Sequence, residues 1–251
     1  MAVVETEGLV LRTYALADAD KIVVLLTKDD GLVRGVAKGA KRLKSRFGSS
    51  LEPFSVVKVS YFRKEERELV SITGIDLERS FFSVASNPYF LQHFSYAAEL
   101  LQSFAPPHDP NERLFNMTKV CLETAAYKQE AIPAIVAYFE IWLLKLGGFL
   151  PSWEMCSNCG RSPEESESVG LQPDFGIVCK NCTGRGGGQP VSPAQRALFL
   201  RAQKASPEKF ILFADSLEGE LEEVSRVLGR MISRILNREI NNSGAKVSAS
   251  G

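Results

Sequence analysis

No stretch of this chain approaches the roughly 18 consecutive apolar residues that a membrane-spanning helix needs. The most apolar run, Ile132 to Leu146, is interrupted by Glu140 and Lys145. The N-terminus carries Glu5 and Glu7 and lacks the basic, apolar, small-residue order of a secretory signal. The expected location is therefore the cytoplasm. Histidine is scarce: His93 lies on an aromatic helical stripe and His108 in a proline-rich turn. Neither has a nucleophile partner suggested by the sequence, so hydrolytic catalysis is not expected. Gly35 to Lys41 and Gly184 to Gly188 both miss the G-x-x-x-x-G-K-[ST] register, which excludes a nucleotide-binding phosphate loop there. Net charge is lacking too. Thirty Lys and Arg balance thirty Asp and Glu over 251 residues, which rules out a uniformly basic nucleic-acid coat.

What is present is ordinary globular material: 45% apolar, 24% charged and 9% aromatic residues, in a length that allows one to two domains. The first eighty residues alternate with period two, giving expected strands near residues 6–12, 22–26, 32–37, 55–63 and 69–75. Asp29-Asp30-Gly31 reads as a hairpin and residues 64–68 as a further turn. Five short strands with one long connection fit an OB-type Greek-key barrel, with an SH3-like barrel as the alternative.

From Ser86 the period becomes 3.6. Phe90, Leu91, Phe94, Ala97, Ala98, Leu101 and Phe104 mark one helix, ended by Pro106-Pro107. Asp109 as N-cap, Pro110 and Glu112 announce a second. A third runs from about Pro133 to Leu146, stopped by Gly147-Gly148. Ser192-Pro193-Ala194-Gln195 and Ser206-Pro207-Glu208 open two more, and a last helix spans about residues 216–239. The expected class is α+β and multidomain. Its parts are a barrel at 1–80, a helical domain at 81–150, a cysteine segment at 151–183, helices at 184–240 that complete the helical domain, and a disordered tail at 241–251.

Two features carry chemistry. Cys156-x-x-Cys159 and Cys179-x-x-Cys182 lie nineteen residues apart, the spacing of two knuckles that together offer four soft thiolates to one tetrahedral ion. Zinc is the expected metal, one structural ion per chain, with rubredoxin-like iron or a redox pair as alternatives. Four thiolates leave no open position on the metal, so no activated water is expected. Cys121 lies mid-helix and reads as a small buried residue.

The second feature is electrostatic. Between Gly31 and Leu51 there is no acid, while Arg34, Lys38, Lys41, Arg42, Lys44 and Arg46 supply six cations among Gly and Ser. Such a loop has the charge and reach to follow a phosphate backbone, or is a solvated surface loop. Phe47, Tyr61 and Phe62 are candidates for stacking on bases, with a core role the alternative for Phe47 and Phe62. Arg226, Arg230, Arg234 and Arg238 recur every four residues on the last helix, as a second phosphate track, with Arg226, Arg230 and Arg234 its candidates, or a solvated face.

The order T-K-D-D-G-L-V-R-G-V-A-K-G-A-K-R-L-K-S-R-F-G-S-S-L-E-P-F at Thr27 to Phe54 closely resembles the bacterial recombination mediator family RecO. The resemblance continues through L-L-K-L-G-G-F-L-P at Leu143 to Pro151, the cysteine pairs, G-I-V-C-K-N-C at Gly176 to Cys182, and Ser192-Pro193. It implies an N-terminal OB fold, a helical middle, and a zinc segment with Cys156, Cys159, Cys179 and Cys182 as ligands. It also implies a non-catalytic role in DNA repair and recombination: binding single- and double-stranded DNA, annealing strands, associating with RecR, and contacting the C-terminal tail of single-stranded-DNA-binding protein so that RecA can load. By position, Lys38, Lys41, Arg42, Lys44 and Arg46 become the DNA-contact candidates, in a nucleoid-associated cytoplasmic protein. The alternative reading is a zinc-ribbon adaptor for RNA or protein without a repair role.

Overall fold

A computed structural model describes residues 2–63, 68–183, 188–217 and 219–247, and side chains through Asn237. The turn expected at 64–68 and the glycine-rich joint after Thr183 fall largely outside these residues. The chain divides into two compact units, Met1–Ile132 and Pro133–Gly251.

In the first unit β1 (Ala2–Leu16), β2 (Asp20–Thr27), β3 (Gly31–Ala37), β4 (Val56–Arg63) and β5 (Leu69–Arg79) close into a barrel of order β1-β2-β3-β5-β4. All neighbours are antiparallel except β3 and β5, which pair in parallel. That order is the Greek-key, OB-like barrel rather than the SH3-like alternative. β1 and β5 are longer than their alternation suggests. A register shift between Val10 and Arg12, and two in the β4–β5 pairing, bend the strands enough for each to serve two neighbours.

Val10, Val23, Leu25, Val33, Val57, Val59, Tyr61, Val70 and Ile72 fill the barrel, with Phe47 and Leu51 from the β3–β4 connection as part of the same cluster. Every other residue of β2 points inward, as period two requires. Outside the barrel stand α1 (Phe82–Ala85), α2 (Pro88–Phe104) and α3 (Glu112–Tyr127). Phe54 meets Phe90 and Phe94 edge-on at 6.3 and 6.1 Å, and those two rings stack at 4.4 Å. Arg12–Glu99, Lys28–Glu112, Arg79–Glu123 and Lys119–Glu7 pairs tie the barrel to α2 and α3.

Asp109 does not cap α3. Asn111 does, its Oδ1 accepting from the Leu114 N–H at 3.0 Å. The loop before it is held away from the helix axis by the barrel. His108 takes φ +56° and its Nδ1 donates to Asp30 Oδ2 at 3.1 Å, while Pro107 bridges to Gly31 and Leu32. Asp30 is itself buried, accepting from Tyr61 Oη at 2.6 Å and Arg63 Nη1 at 2.6 Å. Burial, reinforced by Asp30, pushes the Tyr61 phenol up, so it stays a donor. Tyr61 is thus a core residue and not the base-stacking group considered from the sequence.

The second unit begins one residue into α4 (Ile132–Leu146), a helix apolar on nearly all sides and buried accordingly. Tyr138 Oη and Trp142 Nε1 donate to the carbonyls of Ala205 and Ala202, at 3.0 and 2.9 Å. Gly148, at φ +76°, ends the helix as expected. A small sheet of order β7-β6-β8 follows, from β6 (Val169–Leu171), β7 (Ile177–Val178) and β8 (Gln189–Val191). Then come α5 (Pro193–Ala202), α6 (Pro207–Asp215) and α7 (Glu220–Val247). Ser192 and Gln195 form the expected capping box. The last helix's apolar spacing, Leu221, Val224, Leu228, Met231 and Ile235, predicts one inward face; the last four are buried and Leu221 is half-buried. α7 starts at Glu220 rather than near 216, because Ser216 closes α6, and it runs to Val247, past the 240 boundary set from the sequence.

Candidate metal centre and nucleic-acid interface

The two cysteine knuckles are built alike. After Cys156 the chain turns back through Gly160, at φ +71°, whose N–H donates to the Cys156 carbonyl at 2.9 Å. After Cys179 the N–H groups of Cys182 and Thr183 donate to the Cys179 carbonyl at 2.8 and 3.1 Å. Each turn aims both of its sulfurs to one side. Ser157 N–H joins the knuckles by donating to the Ile177 carbonyl at 2.8 Å. The four Sγ atoms lie within 4.8 Å of one another, and Cys159 and Cys179 are 3.8 Å apart. A tetrahedron with ~2.3 Å metal–sulfur bonds has edges of about 3.8 Å, so the four donors fit one ion.

The polar surroundings favour thiolate at Cys156 and Cys179. Burial alone would raise the Cys156 thiol, but backbone N–H groups of Cys179, Cys159 and Asn158 outweigh it and bring it to about 6. Arg161 is the largest influence drawing Cys179 down. Cys182 goes the other way, to about 12: a hydrogen bond from Asn158 is overcome by the neighbouring sulfurs and by burial. Arg161 and Glu167 clamp the knuckles together. Arg161 donates to both Glu167 oxygens at 3.0 and 2.6 Å, and its carbonyl accepts from Cys156 N–H at 2.8 Å. Glu167 also accepts from the Lys180 N–H at 2.9 Å, and with Arg161 beside it the carboxyl is held down at about 2. Sequence reading passed over this pair, since an Arg and a Glu six residues apart in a loop carry no pattern.

Arg196 of α5 locks the segment onto the helices. Although buried, it donates to the carbonyls of Trp153, Glu164 and Pro163 at 2.8, 2.8 and 3.1 Å. Trp153 stacks on Phe199 at 4.0 Å.

The basic loop lies in the β3–β4 connection. Arg34, Lys38, Lys41, Arg42, Lys44 and Arg46 are all exposed. Gly39 N–H donates to Asp20 Oδ1 at 2.8 Å, Lys41 N–H to the Ala19 carbonyl at 2.9 Å, and Ser45 N–H to the Arg42 carbonyl at 2.9 Å. The loop is therefore fastened to the β1–β2 turn at one end. At the other it is anchored by buried Phe47, over which the Arg46 guanidinium sits at 4.9 Å. Phe47, like Tyr61, is removed from the stacking candidates by burial, whereas Phe62 is partly exposed. Tyr14 escaped the sequence reading. It is exposed on β1, with Arg12 5.6 Å from its ring centroid, and pairs in register with Ile22 of β2.

Arg226, Arg230 and Arg234 of α7 have intramolecular partners, and the side chain of Arg238 lies outside the described residues. Arg226 meets Glu222 and Glu223 at 3.3 and 2.9 Å, Arg230 donates to Gln189 at 3.0 Å, and Arg234 to the Pro173 carbonyl at 3.2 Å. Arg230 and Arg234 line a cleft of about 190 Å³ between α7 and the small sheet. His93 donates through Nδ1 to the Tyr89 carbonyl and lies on the Tyr89 ring, and Cys121 is buried in α3.

The family model described as "Recombination protein O N terminal" matches residues 1–81, and "Recombination protein O C terminal" matches 91–243. A DNA repair protein RecO from Geobacter metallireducens is 32% identical over 237 residues, covering 94% of this chain and 94% of its own. Its counterpart from Symbiobacterium thermophilum is 29% identical over 242 residues, covering 96% and 92%.

Proposed function

This chain belongs to the recombination protein O (RecO) family, and from that premise we propose that it is a non-catalytic mediator of DNA repair and recombination in the cytoplasm. It binds single- and double-stranded DNA, anneals complementary strands, and works with RecR to load RecA onto DNA covered by single-stranded-DNA-binding protein. The observation that carries this reading is the acid-free stretch, which offers five exposed cations on one anchored connection of the barrel and a sixth, Arg34, on the strand that leads into it. Charge and reach without a base code suit a protein that must handle any sequence.

Cys156, Cys159, Cys179 and Cys182 hold one structural zinc. With all four positions filled by sulfur, the ion supplies cross-linking and no activated water. Elemental analysis of fresh reduced protein is expected to give one zinc per chain, and Cys156→Ser to lose it together with thermal stability.

Neutralising Lys41, Arg42 and Lys44 together is expected to weaken single-strand binding at least tenfold. It should also slow annealing of strands coated with single-stranded-DNA-binding protein, with and without RecR. Unchanged binding would remove the loop from the interface. Equal affinity for matched RNA, with no annealing, would favour an adaptor role instead.

A further inference from the structure

The basic loop carries one residue that charge does not explain. Leu43 is fully exposed, more so than any other large apolar side chain among the described residues. It is not at a slack point in the chain. The Ser45 N–H donates to the Arg42 carbonyl at 2.9 Å, which closes a turn with Leu43 and Lys44 at its two corners. The turn before it is closed by Arg42 N–H on the Gly39 carbonyl at 3.1 Å, and Lys41 Nζ reaches the Ala17 carbonyl at 3.2 Å. An apolar knob is thus held at the tip of an anchored turn, with Lys41, Arg42, Lys44 and Arg46 around it, all exposed.

Those cations repel a basic surface and attract an anionic one, so a ligand that covers Leu43 must present negative charge beside an apolar face. Nucleic acid does this at every nucleotide, with phosphate outside and the flat face of the base within. Proteins that bind the minor groove of a duplex insert apolar side chains, leucine among them, between base steps and open the stack there.

We propose that Leu43 is a wedge that enters between neighbouring bases of a bound strand while the cations on either side hold its phosphates. The proposal rests on the loop reading above and adds a contact to the bases. Unstacking interrupts the strand's own structure and exposes base faces on which an incoming complement can stack as it pairs, so the wedge serves annealing.

The test uses the full chain, oligonucleotides with a single 2-aminopurine, and otherwise identical strands with abasic positions. Binding of the wild-type protein is expected to raise 2-aminopurine fluorescence at least twofold. Leu43→Ser is expected to abolish that rise and slow annealing at least fivefold, while its affinity for the abasic strand stays within twofold of wild type. Leu43→Phe, which keeps an apolar wedge, is expected to retain the rise. A Leu43→Ser protein that raises the fluorescence as wild type does overturns the proposal. So does one whose abasic-strand affinity falls as far as that of the Lys41, Arg42 and Lys44 triple variant, because Leu43 would then be shaping the loop. The loop reading fails by a different result in a different protein, unchanged binding by the triple variant, and takes the wedge with it.

Discussion

Gly31 lies directly against the loop that leads to α3. Its φ is +61°, and a Cβ there would stand 2.2 Å from the Asp109 carbonyl oxygen, a backbone atom that cannot turn aside. Strain and clash add, so Gly31→Ala is expected to cost about 3 kcal/mol or more in urea unfolding followed by circular dichroism. Gly74 is the internal comparison. Its Cβ would meet nothing nearer than Ser60 Cβ at 3.9 Å, and Gly74→Ala should stay within about 1 kcal/mol of wild type. A similar cost for both would mean that the loop yields at Gly31. The Asp-Asp-Gly turn was legible in the sequence because it is local. The close approach of Asp109 was not, since it brings together residues 78 positions apart.

Arg196 makes the corresponding case in the second unit. Its guanidinium satisfies three carbonyls that the connection through Trp153, Pro163 and Glu164 turns inward. Removing the donor leaves those oxygens without it in a buried setting, so Arg196→Ala is expected to cost about 3 kcal/mol or more. Arg196→Lys keeps the charge but not the planar fork, and should recover only part of the loss. The chain's two tryptophans, Trp142 and Trp153, both belong to this unit, so fluorescence in denaturant reads the change directly. Full recovery by lysine would show that charge, not geometry, is what the site needs.

Elements were readable where their signals are local and misread where a distant contact decides. Two knuckles, a capping box at Ser192 and a glycine stop after α4 each depend on residues within a few positions, and each stands where the pattern puts it. Burial is a global property, and alternation alone could not assign Phe47 and Tyr61 to the barrel interior. The start of α3 shows the competition most clearly. Asp109-Pro110-x-Glu112 satisfies every local rule for a helix start, yet His108 and Pro107 fasten the chain to Asp30, Gly31 and Leu32 and delay the helix by two residues. Asn111→Ala should therefore remove a cap and cost about 1 kcal/mol. Asp109→Ala, at an exposed position with its backbone retained, should fall within about 0.5 kcal/mol of wild type. The reverse ranking would restore the local reading.

Each compact unit repeats the neutrality of the chain. Residues 1–132 hold 17 Lys and Arg against 17 Asp and Glu, and residues 133–251 hold 13 against 13. Neither unit has a net field to draw a polyanion from a distance, and at physiological ionic strength a field would be screened beyond about 8 Å. Binding must then come from where the cations lie. Six exposed cations on and beside one loop would release counterions with a single-strand salt slope of up to about 4, at ~0.7 per neutralised phosphate. Removing the charges of Lys41, Arg42 and Lys44 should lower that slope by about 2. Removing Arg113, Lys128 and Lys209 changes the net charge equally and should leave the slope within experimental error, because these residues lie outside the loop. If both triple variants flatten the slope alike, overall charge rather than the anchored loop governs binding, and the neutrality of each unit has been the more informative number.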